Sequence, residues 1–495
     1  MSRTNQVLHS PLDGTTFEEP ERAETVSPRL GPASGMRNSG TAIAGGLVSQ
    51  ALKAVVMIYV ARVFGASEFG SFSFANSVNA FLFVIAQFGL PVFGAREVAQ
   101  TGRLKKDLLK AITEARLLLA GAGTLVALVV LYFVPGVTRT EFWLVAGFGL
   151  SNVALSGFGD WAFQGMGRLH LWAALNIVWQ GLWLILTIAA VHARASIVFL
   201  SFGYAVAAFV TVFISWPWLR RLTRQPDEIS PVPSYSVHSV IGAGANLGAA
   251  TMLITVLVWT DTIIVRWLQG QHAAGLYAAG NRVALALAML ASFYVVGAFP
   301  MLSNSAMSSP REYSRCFQRA FEDIALLFIP GALWALFYAP QIMLVLFNNP
   351  EYLAAATVFR IFQVFLLVNV ICNLYGMGGL VAHHRDHAYR RAMGTSAVAL
   401  LVLCPILTLR WGMVGAALAA VFSQSLNLVL FVVEGRDVVR PEVLKTLGVP
   451  ALMSVIPVLS GTVFHLGFWA SVVALVLTYL AIFVWRRPVL YPVIK

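Results

Sequence analysis

GSFSFANSV at residues 70–78 and GLYAAGNRV at residues 275–283 obey one pattern, Gly-x-aromatic-x3-Asn-x-Val. Gly70, Phe72, Asn76 and Val78 align with Gly275, Tyr277, Asn281 and Val283, and Arg62 and Arg266 precede the two copies by nearly the same distance. Each copy sits where one long apolar run gives way to the next. The offset of 205 residues spans six such runs. An even number of crossings restores the orientation, so the repeat is parallel and predicts two six-helix lobes lying the same way in a membrane.

Outward from these copies, a crossing needs about 20 mostly apolar residues. Runs of that kind fall near 39–63, 72–97, 114–134, 142–165, 171–192, 196–218, 240–266, 274–302, 321–338, 355–379, 393–409, 413–434, 447–466 and 468–485. They predict an all-α, polytopic membrane protein of about 14 transmembrane helices: two six-helix lobes around a central cavity, plus two C-terminal helices. The expected organisation is a disordered cytoplasmic tail over 1–38, an N-lobe over 39–218, a cytoplasmic linker over 219–239 and a C-lobe over 240–434. Residues 435–495 supply the two further helices and a short cytoplasmic tail. The first stretch is polar and rich in Pro, Glu, Arg and Ser. The linker is the longest internal polar, proline-containing segment. No apolar signal-peptide core precedes Gly40, so the first run is expected to remain uncleaved.

Composition agrees. Of 495 residues, 58% are hydrophobic and 11% charged, whereas soluble domains are about 25% charged. A cytosolic globular enzyme and a disordered chain are both excluded. The net charge of +12 raises nucleic acid as a partner, and the placement of the charges removes it. With the N-terminus in the cytoplasm, 26 of the 34 Lys and Arg residues fall on the cytoplasmic side. Five (Arg62, Arg139, Arg194, Arg266 and Arg410) fall on the other, and Lys53, Arg282 and Arg360 fall within spans. This bias predicts cytoplasmic termini. Trp216, Trp218 and Trp485, each just before a basic pair, fit an interfacial ring. Residues 103–117 read either as an amphipathic helix on the anionic inner leaflet or as an extension of the third helix. Three cysteines make no disulfide framework; Cys316 is expected in a polar loop, Cys372 and Cys404 in apolar cores.

The stretch 39–120 resembles the N-terminal region of the bacterial polysaccharide transport family, the O-antigen and oligosaccharide flippases of the multidrug/oligosaccharidyl-lipid/polysaccharide exporter superfamily. The matching residues are ARVFGASEFGSFSFANSV (61–78), AQFGLPVFGAREVAQ (86–100) and the basic stretch before the third span. FQGMGRLHLWAALN (163–176), the span carrying Asp261 and GLYAAGNRV continue the likeness over the chain after residue 38. The resemblance implies flipping of an undecaprenyl-pyrophosphate-linked oligosaccharide from the cytoplasmic to the periplasmic leaflet of the bacterial inner membrane. It implies no cofactor, and envelope polysaccharide assembly proteins as partners. The long N-terminal tail departs from the family pattern.

An amphipathic, anionic lipid-pyrophosphate-sugar needs a polar and preferably cationic cavity. Lys or Arg inside a span costs roughly 2.5–3.5 kcal/mol at the helix centre, so each one present needs a reason. Lys53, near the middle of the first span, reads as a cavity cation for pyrophosphate, or as an ion pair or snorkelling side chain. Arg282 reads as a head-group contact, or as the partner of Asp261 in the preceding helix. Arg360 is a third substrate-binding candidate, with snorkelling to the periplasmic interface as the alternative. Asp261 and Asp160 are candidates for a coupling proton or sodium ion, or for structural pairing. Gln50, Asn76, Gln87, Gln180, Asn281 and Asn369 suit sugar hydroxyls or helix–helix hydrogen bonds. Trp161, Trp172 and Trp259 suit stacking on sugar rings or lipid packing. Gly242, Gly244 and Gly248 lack the spacing and the strand of a dinucleotide loop and fit close helix packing. HHRDH at 383–387 has neither cysteine nor a carboxylate pair, so no metal site is expected.

These residues favour a lipid-linked oligosaccharide flippase working by alternating access. A cation-coupled multidrug exporter of the same superfamily would put carboxylates at the centre. A membrane-embedded polysaccharide polymerase or ligase would carry a long periplasmic loop, and no such loop exceeds about 16 residues by these boundaries. A scaffold for envelope assembly would need no cavity charge.

Overall fold

The computed structural model describes residues 32–223, 235–437, 443–462 and 467–494. Among them there is no strand. In chain order the helices are α1 (Pro32–Gln87), α2 (Leu90–Thr101), α3 (Lys106–Phe133), α4 (Arg139–Leu155), α5 (Asp160–Gly165), α6 (Leu169–His192) and α7 (Val198–Leu222). Then come α8 (Val237–Ser308), α9 (Pro310–Phe337), α10 (Ala339–Phe347), α11 (Ala355–Asn373), α12 (Asp386–Gly435), α13 (Val443–Thr462) and α14 (Gly467–Ile494). Residues 1–31 of the expected tail and 224–234 of the expected linker lie outside the described residues, and α1 begins at Pro32, inside the stretch expected to be tail.

Nine helices among the described residues are long and apolar enough to cross a membrane. Three of these are too long to cross it once. Drawn straight, the 56 residues of α1 would run about 84 Å at 1.5 Å per residue, nearly three hydrocarbon cores. Each of the three is broken instead. α1 breaks at Gly65 (φ 74°, ψ 176°), α8 at Gly270 (φ 87°, ψ −179°) and α12 at Trp411–Gly412. Backbone of the first two kinds is open only to glycine. The breaks fall between the first and second, seventh and eighth, and eleventh and twelfth apolar runs. Gly65 and Gly270 are themselves 205 residues apart, so the repeat begins at the breaks.

The two copies of the repeat face one another. A methyl group built on Gly70 would run into the carbonyl oxygen of Gln271, and one built on Gly275 into that of Ala66. Those contacts are reciprocal, since 66 and 271 are also repeat partners. A pseudo-twofold axis therefore passes between α1 and α8, and Gly70 and Gly275 let the backbones meet there. Around this seam α3, α4 and α6 pack on α1 and α7 packs on α4 and α6, while α9, α11 and α12 pack on α8.

The halves also meet at both ends. At the Lys/Arg-poor end, Arg266 of α8 is paired with the buried Glu141 of α4, with Nη2 2.9 Å from Oε2, and donates to the carbonyl of Gly136. Gln271 donates to Thr138, and Arg62 to the carbonyls of Val345 and Leu346. At the opposite end Gly89 (φ 75°) sits against Gly244 and Gly248, the close packing expected of GAGANLG. There the Tyr235 hydroxyl donates to Glu97 at 2.9 Å. Burial and the adjacent carboxylate push that hydroxyl up to about 12, so it remains a donor at neutral pH.

Several local expectations change. Residues 106–133 form one helix, so the basic stretch extends the third span. The expected fourth span ends at Leu155, because the glycine-containing turn Ser156–Gly159 interrupts it and Asp160 opens the separate α5. Cys316 lies within α9 rather than a loop, whereas Cys372 and Cys404 are buried as expected. The tenth run leaves α11 as a π-helical segment over Leu374–Leu380.

Candidate functional site

Lys53 precedes the Gly65 break by 12 residues, and Arg282 follows the Gly270 break by 12. Each therefore lies about 18 Å from the Lys/Arg-poor end, near the middle of a core about 30 Å thick. The two repeats thus bring one cation from each half to the same depth. Both line a cavity of about 520 Å³ between α1 and α8, closed on its far side by α11.

Trp259 lies beside both cations. The Arg282 guanidinium carbon lies 3.9 Å from the centre of its ring, and Lys53 Nζ lies 6.0 Å from the same centre. An indole face attracts cations, more strongly away from water. Arg282 also donates through Nη2 to the Ser77 hydroxyl at 3.1 Å, which joins residues 205 apart across the axis. Its buried Nε has no partner. No acidic residue lines this cavity among the described residues. The arrangement is a weakly neutralised, dicationic chamber in the middle of a membrane, and its chemistry suits a phosphate-bearing or otherwise anionic ligand.

Asp261 does not pair with Arg282 by direct contact. Its oxygens accept from neutral donors: Tyr277 Oη at 2.7 Å, the Thr262 amide at 2.6 Å, Thr262 Oγ1 at 3.2 Å and Asn281 Nδ2 at 3.3 Å. Tyr277 and Asn281 belong to the second copy of the repeat. The equivalent positions of the first copy are Phe72 and Asn76, and the position equivalent to Asp261 is Val56. Only the C-terminal half carries a buried carboxylate at this place.

Asp160 is 3.5 Å from Arg116, a buried guanidinium that also donates to the carbonyl of Phe158. It lines none of the described cavities. Arg360 does not reach the chamber either. It is exposed and donates to the carbonyl of Leu336 at 3.2 Å, because α11 turns that face outward. Of the three cationic candidates, the structure brings together Lys53 and Arg282 and leaves Arg360 out.

Gln50, Asn76 and Asn369 line the chamber, as does Trp259. Trp161 is instead buried against Gly94. A second cavity of about 300 Å³ opens into the N-terminal half and shares Gln50, Lys53, Asn76, Thr255 and Trp259 with the chamber. A third, of about 90 Å³, extends into the C-terminal half past Asn369 and Asn373. Sequence reasoning missed Asn79, Asn152, Asn176 and Trp179, all of which line the second cavity. Polar residues inside apolar runs were the available signal. No group of His, Cys, Asp and Glu that could hold a metal ion occurs among the described residues.

The chain resembles known proteins in sequence and in fold. It is 24% identical over 382 residues to a probable low-salt glycan biosynthesis flippase of Haloferax volcanii, covering 75% of this chain and 77% of that one. It is 19% identical over 380 residues to a putative O-antigen transporter of Escherichia coli K12, covering 74% and 88%. Among solved structures, the lipid II flippase MurJ in an inward closed conformation superposes with a TM-score of 0.70 at 13% identity, over 90% of this chain and 99% of that one. An outward-facing multidrug resistance transporter of the MATE family, in the MOP superfamily, superposes with a TM-score of 0.56 at 14% identity, over 82% and 94%. Residues 36–306, more than half of the chain, match the family described as polysaccharide biosynthesis protein. With that match, and a fold shared with these solved structures, the chain belongs to the polysaccharide biosynthesis protein family.

Proposed function

We propose that this protein is a flippase for an undecaprenyl-pyrophosphate-linked oligosaccharide, moving it from the cytoplasmic to the periplasmic leaflet of a bacterial inner membrane. The observation that carries the reading is the pair of cations, Lys53 and Arg282, brought to one depth of an interhelical chamber by the two copies of the repeat. The glycan-flippase and O-antigen-transporter names of the two relatives agree with it. The Lys/Arg bias supports cytoplasmic termini, and residues 39–218 and 240–434 act as the two rocking lobes. Pyrophosphate docks between Lys53 and Arg282 while the chamber is open to the cytoplasm. The polyprenyl tail stays in lipid. Separation of the halves at the Gly70–Gly275 seam then breaks the Glu141–Arg266 contact and exposes the head group to the periplasm. A multidrug exporter for cationic compounds fits less well, because two cations at the centre repel such cargo.

The test is a strain lacking the protein, with and without a restored copy. Completed lipid-linked units are expected to accumulate on the cytoplasmic face and to clear on restoration. Units that reach the periplasm normally and stay unpolymerised would transfer the role to an enzyme.

Asp261 is the proposed site of a coupling proton or sodium ion. Its carboxylate accepts from Asn281, the chain neighbour of Arg282, and its neutral donors can exchange partners when it is neutralised. Asp261→Asn is expected to retain downhill movement of a lipid-linked glycan in proteoliposomes. It should lose most of the stimulation, about tenfold, that an imposed ion gradient gives the wild type. Equal stimulation of variant and wild type would remove Asp261 from coupling.

A further inference from the structure

The cavity in the N-terminal half differs chemically from the chamber beside it. The chamber walls are largely aliphatic away from the cations, with Met57, Ile58, Leu285 and Leu287 among them. The smaller cavity is walled by six carboxamides: Gln50, Asn76, Asn79, Asn152, Asn176 and Gln180. Lys53 is its one charged residue, and it sits on the wall common to both spaces. Carboxamides inside a membrane protein are costly unless bonded. Three of these are engaged in hydrogen bonds. Asn152 donates to Asn79 at 2.9 Å, and Asn176 to the carbonyl of Trp172 at 2.8 Å.

Three polar atoms on the same wall have no partner: Asn76 Nδ2, Trp179 Nε1 and Gln180 Oε1. Their residues are each more than nine-tenths buried. Such orphans are rare, because each forfeits the hydrogen bond it could make with water. Two are donors and one is an acceptor. A hydroxyl or acetamido group can both donate and accept, so a sugar ring can satisfy all three. Trp179 and Tyr204 add an aromatic wall, with ring centres 4.9 Å apart at 31°. The described lining residues offer no carboxylate to balance a cationic sugar, and in the flippase reading Lys53 is taken by the phosphate.

We propose that this cavity is the saccharide slot: it takes the first, uncharged, hydroxyl- or acetamido-bearing sugar of the lipid-linked glycan, next to the phosphate held at Lys53. Trp179, Gln180 and Asn76 read that sugar. The polarity of the cargo follows. Sugar lies toward the N-terminal half, phosphate between the halves, and the first isoprene units against the aliphatic wall of the chamber. This rests on the flippase reading above and assigns the place of the sugar within it.

The test uses the full chain in nanodiscs and two soluble probes, geranyl pyrophosphate and geranyl-pyrophosphoryl-N-acetylglucosamine. The wild type is expected to bind the sugar-bearing probe at least about tenfold more tightly. Trp179→Phe and Gln180→Leu are each expected to weaken that probe about tenfold while changing geranyl pyrophosphate by less than about twofold. Their melting temperatures should stay within a few degrees of the wild type, since each removes an unpartnered buried atom and Gln180→Leu also gives up a hydrogen bond with Tyr204. Lys53→Ala should weaken both probes. If the two slot variants weaken both probes alike, or neither, or if wild type binds both equally, the cavity holds only water and the proposal fails. If Lys53→Ala leaves both probes unaffected, the flippase reading beneath it fails instead.

Discussion

Transport is expected to fall by about 100-fold or more when Lys53 and Arg282 are both replaced by alanine. In the proposed mechanism each supplies charge-assisted hydrogen bonds to the pyrophosphate, worth about 1.5–3 kcal/mol apiece, and tenfold is about 1.4 kcal/mol. Two such losses give about 3–6 kcal/mol. The measurement is the initial rate at which a labelled lipid-linked glycan becomes accessible on the far side of a proteoliposome. Wild-type rates in the double variant would end the head-group assignment. Arg282→Lys should recover only part of the loss. A guanidinium stacks flat on Trp259 at 3.9 Å while donating to Ser77, and an ammonium cannot do both. Folding is not expected to suffer, because relieving two like charges in a poorly neutralised chamber removes a cost.

Alanine at Gly70 or Gly275 is the second large effect, and it acts on the conformational equilibrium. The added methyl would occupy the place of a backbone carbonyl oxygen, that of Gln271 or of Ala66. Backbone cannot rotate away as a side chain can, so the halves must part. Overpacking of this kind costs about 1–3 kcal/mol, which shifts a two-state balance about 5- to 150-fold toward the form open at the Lys/Arg-poor end. Spin labels on Arg139→Cys and Gln269→Cys, on opposite sides of that end, should show a longer distance. The rate of a full transport cycle should drop at least about tenfold. An unchanged distance would mean that the seam does not separate during transport.

Hydropathy and charge placement made the membrane architecture legible, because those signals are summed over whole spans. The repeat was visible through Gly70 and Gly275, residues whose need is steric and local. The breaks at Gly65 and Gly270 lie one turn outside the motif and escaped notice, since a single glycine has many uses. The candidates divided according to how far their evidence reached. Lys53 and Arg282 announced themselves by their depth in a span. Arg360 lies nearer the start of its span and faces outward, and helix rotation is not encoded in position along a span. Arg116 read as one more surface cation, yet it is buried on Asp160 and the carbonyl of Phe158. Asn79, Asn152 and Asn176 acquire meaning only when α1, α4 and α6 converge, and no spacing along the chain reports that convergence.

The contacts at the seam join residues to their own counterparts, Gly70 to Gly275 and Ser77 to Arg282. A residue that touches its own counterpart is one that a dimer of half-length chains would already have touched in its twin. In such a dimer position 77 would meet itself. Two arginines there would repel, and two serines would offer the cargo no charge. Fusion of the halves into one chain removes that constraint: one side keeps the hydroxyl and the other carries the guanidinium. The same freedom places Asp261 opposite Val56 and Tyr277 opposite Phe72. A symmetric frame can rock equally well in both directions, and a cargo with a head and a tail needs a site that tells its two sides apart.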